Sequence, residues 1–144
     1  MLSVMRFPSA PDLGVSLRTE ASGPVDADLA WLRYAEPTRW PGWAPQLSRV
    51  EYGPERLTPG TPGRVFAPGG LWLRFWIEDV DEAARTWTWT VRRGPVSVAL
   101  QHGVVATEAG SRTWLAIRGP APLVGPYLPL AKWALHRLVS LPPS

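Results

Sequence analysis

The stretch Arg85-Thr-Trp-Thr-Trp-Thr-Val-Arg-Arg93, Gly94-Pro95, Val96-Ser-Val-Ala-Leu-Gln-His-Gly-Val-Val-Ala106 decides the fold. Apolar and polar residues alternate on both sides of a two-residue Gly-Pro break, which is the pattern of two antiparallel strands joined by a tight hairpin. Alternation puts Trp87, Trp89 and Val91 on one face and Thr88, Thr90 and Arg92 on the other, while Val96, Val98, Leu100, His102 and Val104 share a face of the next strand. Working outward, Leu71 to Val80 forms the preceding strand, connected through Asp79-Val-Asp-Glu-Ala-Ala-Arg85, and Arg112 to Arg118 the following one, reached through Glu108-Ala-Gly-Ser111. Gly14 to Glu20, Leu47 to Tyr52 and Gly63 to Phe66 alternate in the same way, so seven strands are expected.

Two segments change period. Pro24-Val-Asp-Ala-Asp28 offers proline and acids to a first helical turn ahead of Leu29, Leu32 and Ala35. After Gly119-Pro-Ala-Pro122, the residues Leu123, Tyr127, Leu130, Ala131, Ala134, Leu135 and Leu138 line one helical stripe, with Pro126 and Pro129 in the first turns or at a kink and Pro142-Pro143 as the stop. Glu36 to Gln46, with Trp40, Pro41, Trp43 and Pro45, is too proline-rich for a regular helix and reads as short turns over an edge of the core. Strand, helix, a run of six antiparallel strands and a long helix make an α+β domain whose sheet curls around an apolar helix. The 144 residues suit one domain, 1–144, with its core at about 14–140.

Composition removes several classes of function. Zero Cys excludes a disulfide framework, a thiolate zinc site and a Cys nucleophile, and suits a reducing, cytoplasmic compartment. With His102 and His136 alone and no paired-carboxylate spacing, no metal site is expected. The net charge is only +3, and the arginines alternate with carboxylates, so nucleic acid is not an expected partner. No apolar run approaches ~18 residues, which argues against stable membrane insertion, and Met1 to Pro11 lacks a signal-like apolar stretch. There is no Gly-x-Ser-x-Gly elbow, no Gly-x-Gly-x-x-Gly and no Walker loop.

Local motifs in this order carry a resemblance. Ser22-Gly-Pro-Val-Asp26, Trp40-Pro-Gly-Trp43, Pro59-Gly-Thr-Pro-Gly-Arg64, Val80-Asp-Glu-Ala-Ala-Arg-Thr-Trp-Thr-Trp89 and Gly110-Ser-Arg-Thr-Trp114 together resemble the START-like (SRPBCC, helix-grip) superfamily, in particular its polyketide cyclase/dehydrase and lipid-transport branch, over about residues 14 to 140. The resemblance implies a seven-stranded antiparallel sheet gripping the C-terminal helix, with a deep apolar cavity between them, no cofactor and no fixed catalytic set. It also places Tyr34 and Arg64 at the cavity mouth, where related cyclases hold polyketide oxygens.

Nine Trp against six Phe plus Tyr suit a wall for aromatic or polycyclic ligands, although core filling is the plain alternative. The expected wall comprises Trp40, Phe75, Ile77, Trp87, Trp89, Leu100 and Tyr127. His102, on an otherwise apolar face, is the expected acid or base, with Arg64 and Tyr34 orienting oxygens and stabilising an enolate. His136, beside Lys132 and Arg137, faces solvent. The leading reading is a cofactor-free cyclase or dehydratase acting on a polyketide-like intermediate, and the alternative is a carrier or sensor of a lipid, quinone or aromatic metabolite. With Phe75 and Ile77 inward, Trp72 and Trp76 fall outside, and with Trp114 they would suit an interaction surface such as a homodimer interface.

Overall fold

The computed structural model describes residues 14–143; the expectation for Met1 to Pro11 lies outside the described residues. Seven strands, β1 (Val15–Gly23), β2 (Arg49–Tyr52), β3 (Pro62–Phe66), β4 (Trp72–Asp81), β5 (Thr86–Arg93), β6 (Val96–Thr107) and β7 (Gly110–Gly119), form one antiparallel sheet in the order β1-β7-β6-β5-β4-β3-β2. The β5–β6 hairpin pairs Trp87 with His102 and Trp89 with Leu100, and β6 pairs His102 with Leu115 on β7. One register thereby carries the aromatic row and the histidine to the same face. Alternation along β4 buries Phe75 and Ile77 and leaves Trp76 44% exposed, and a bulge between Ile77 and Asp79 then shifts the register of the strand's end.

Helix α1 (Ala27–Ala35) opens on Asp26, whose carboxylate accepts from the Asp28 N–H. Its last carbonyls are taken up by the chain that follows. The Trp43 indole donates to Arg33 O, the Trp40 indole to Tyr34 O and the Leu57 N–H to Ala35 O. The expected short turns are a 3-10 turn (Pro37–Arg39) and a single-turn helix α2 (Trp40–Trp43), held against α1 by those indoles rather than by helical propensity.

Helix α3 (Ala121–Ser140) runs through both prolines. Each lacks the N–H that an interior turn requires, so the ladder loses two rungs between Ala121 and Leu130. Burial follows Val124, Ala131, Ala134, Leu135, Leu138 and Val139, while Leu123, expected on the stripe, is 47% exposed. At the other end of α3, the Arg33 guanidinium donates to Leu138 O and Leu141 O, both at 2.7 Å. β1 continues past its expected stop to Gly23, where a Cβ would stand 2.3 Å from Val139 O, so only glycine lets the strand and the helix end meet.

Trp72, Trp76 and Trp114 lie on the outer face of the sheet, as expected, with Trp72 and Trp114 half-buried. Trp72 is covered by the guanidinium groups of Arg64 and Arg93, and Trp114 by that of Arg18, at 4.7 to 5.5 Å. Trp76, on the same face of β4 as Trp72, has no such cover among the contacts of the described residues. Trp133 on α3, 53% exposed, was not singled out by the periodicity. His136 is exposed, as its neighbours suggested.

Candidate functional site

Between α3 and the inner face of the sheet lies a cavity of about 580 Å³. Its open rim carries the exposed Leu71, Val96 and Leu123 with Arg92 and Arg93. The closed end is aromatic. Trp87 stacks on His102, centroids 4.8 Å apart and planes 13° apart, and Trp40 lies 5.5 Å from Trp87 and 5.1 Å from Trp89. Cross-strand pairing of Trp87 with His102 produces the stack, and the proline-rich turn after α1 delivers Trp40 from the other side.

The structure places Trp40, Trp87, Trp89, Leu100, His102 and Tyr127 on the cavity wall. Four other sequence expectations are corrected. Arg64 points to the outer face, paired with Glu51 at 2.6 Å and opposite Arg74, because β3 alternates and Val65 takes the inward position. The Arg49 and Arg64 guanidinium groups in turn hold the Glu51 carboxyl below its ordinary range, Arg49 contributing most. Phe75 and Ile77 are buried off the wall: Phe75 fills the space between Trp40, Trp89 and Tyr52, with centroids 5.4 to 5.6 Å away. Tyr34 is not at the mouth but fully buried beneath the closed end, its ring 4.9 Å from His102.

A hydrogen-bonded chain runs through that buried layer. The Tyr34 hydroxyl lies 2.6 Å from Thr113 Oγ1 and 3.2 Å from His102 Nδ1, and Thr113 Oγ1 donates to Gly103 O at 2.9 Å. Burial pushes the Tyr34 phenol up and His102 down to about 3, so the imidazole is neutral at pH 7. At the side of the cavity, Gln46 Nε2 donates to the Tyr127 hydroxyl at 2.9 Å, and burial raises that phenol's pKa. Among the described residues, four polar atoms of the wall are buried without a protein partner: His102 Nε2, Trp87 Nε1, Trp89 Nε1 and Gln46 Oε1.

Sequence reasoning missed Thr113, Gln46 and Trp43. Thr113 had a signal, since Ser111, Thr113, Leu115 and Ile117 share the buried face of β7. Gln46 had none, because it sits in an irregular turn whose direction no period reports. Among the described residues, no three His, Asp or Glu side chains gather as metal ligands.

No protein-family model matches the sequence, and no curated protein matches it. Solved structures do match the fold. Ginseng major latex-like protein 151 from Panax ginseng superposes with a TM-score of 0.76 at 15% identity, covering 91% of this chain and 100% of that one, and a second crystal of it gives 0.75. Ara h 8.0201 gives 0.67 at 17% identity, covering 88% and 95%. At these identities the likeness is one of fold.

Proposed function

Because the chain has the helix-grip fold of the START-like superfamily, we propose that it binds a planar, hydrophobic small molecule in the cavity between α3 and the sheet. The cavity itself carries this reading: about 580 Å³ of space within an aromatic and aliphatic wall, open at one rim. That volume suits a ligand of two to four fused or linked rings. Trp40, Trp87 and Trp89 pack with centroids 5.1 to 5.5 Å apart, Trp40 and Trp87 stacked and Trp89 tilted against both, a rigid aromatic wall that favours rings over flexible chains. The absence of cysteine from the sequence suits a reducing, cytoplasmic setting.

Titration with anilinonaphthalene sulfonate, followed by dye fluorescence, tests the reading against Ala131→Phe, which fills the cavity from α3. One saturable site in the wild type, lost in the variant at a comparable unfolding midpoint, is the expected result. Equal binding by both proteins would refute it.

A second reading, cyclisation or dehydration of a polyketide-like intermediate, is favoured by the buried, unpaired Nε2 of the wall residue His102. Its chemistry is narrower than the sequence suggested. An imidazole pushed down to about 3 is a weak base for a carbon acid, and Arg64 stands outside the cavity, so catalysis would rest on positioning and on a hydrogen bond to an enol. Incubation with a linear poly-β-ketone and mass-resolved chromatography separates the two readings. Product formation above the protein-free rate that is lost in His102→Phe supports turnover, and binding without conversion leaves a carrier.

A further inference from the structure

We infer that the cavity accepts a hydrogen bond from its ligand at His102 Nε2, and so selects planar molecules bearing a hydroxyl or N–H at the end that enters first. The inference rests on the binding reading above and adds the polarity of the recognised group. It follows from the buried chain of Gly103, Thr113, Tyr34 and His102. A carbonyl only accepts, so the Thr113 hydroxyl proton is committed to Gly103 O. Thr113 Oγ1 must then accept from the Tyr34 hydroxyl, whose single proton is thereby used. Tyr34 Oη has only lone pairs left for His102, so Nδ1 must carry the ring proton and donate. No other placement of protons makes all three bonds.

The neutral ring has one proton, and it is on Nδ1. Nε2 is left as a bare acceptor. It belongs to a wall residue only 6% exposed and has no partner among the described residues. A buried acceptor without a donor is penalised, a penalty that a ligand hydroxyl or N–H removes and an ether or ketone oxygen does not. Thr113, outside the cavity wall, therefore sets the selectivity of a surface it does not touch.

The test compares 2-naphthol with 2-methoxynaphthalene by calorimetry on the whole protein. The two share a ring system and differ in the donor. Wild type is expected to favour 2-naphthol about tenfold. Thr113→Val frees the Tyr34 proton to go to Nδ1 and moves the ring proton to Nε2, so the preference should collapse while the methoxy compound still binds. A two-bond 1H–15N correlation of His102 reads the tautomer in the wild type independently of ligand and variant folding, with His136→Gln assigning the two rings. Equal affinities, or a ring protonated at Nε2, overturn the inference and leave the binding reading standing. Failure of both naphthalenes to bind overturns the two together.

Discussion

Replacing Arg33 tests the contact that closes the molecule. Arg33 is 8% exposed, and its guanidinium reaches from α1 to Leu138 O and Leu141 O at 2.7 Å, so it fastens the end of α3 to α1. Hydrogen bonds from a charged donor contribute about 1.5–3 kcal/mol each, and a cation at a helix C-terminus adds about 0.3–1 kcal/mol. Against this stands the cost of burying the guanidinium, of order a few kcal/mol. The net loss expected for Arg33→Met, which keeps the apolar stem, is about 2–4 kcal/mol, or roughly 6–14 °C in midpoint for a chain of this length. Arg33→Lys retains charge but cannot span two carbonyls, and should fall between the two. Urea denaturation followed by Trp fluorescence measures all three proteins. A loss below about 1 kcal/mol for Met, or Lys equal to Arg, would refute the two-carbonyl clamp.

Three further outcomes are expected. In a double-mutant cycle, Tyr34→Phe and Thr113→Val should be coupled by about 1 kcal/mol through their shared hydrogen bond; strictly additive losses would show that the hydroxyls do not meet. His102 is depressed to about 3 in the fold against about 6.5 unfolded, so the unfolded chain binds the extra proton and stability is lost as pH falls. Between pH 7 and 5 this one group removes about 2 kcal/mol, a decline that should be absent from His102→Phe when both are unfolded in urea at each pH. Hydrogen exchange should be faster across Ala121 to Leu130, where Pro126 and Pro129 interrupt the ladder, than across Ala131 to Ser140, with uniform protection along α3 as the contrary result.

Strand, helix and turn assignments were readable because each depends on neighbours in sequence. Two-residue alternation located all seven strands, and the change to a helical period located α1 and α3. Boundaries moved where a long-range contact overrode the local signal. Ser22-Gly23-Pro24 reads as a stop, yet pairing with Ser111 and the approach of Val139 carry β1 through Gly23. The outward direction of Arg64 was also present in the sequence, as the partner of an inward Val65; position by resemblance pointed the other way.

The sequence alone therefore determined the α+β order, the inward tryptophans of β5 and the inward His102, since a period of two assigns faces without knowledge of what lies opposite. Only tertiary structure decided which inward side chains border open space. Phe75 and Trp87 are equivalent by period, but Trp40, arriving from an irregular turn, packs with both while leaving only Trp87 facing the cavity. The state of His102 was likewise undetermined until residues 34, 102 and 113 met. A void is what remains after distant elements have filled their volume, and a proton's position follows from which oxygens and nitrogens come within about 3 Å of one another. Neither is a property of any one stretch of the chain.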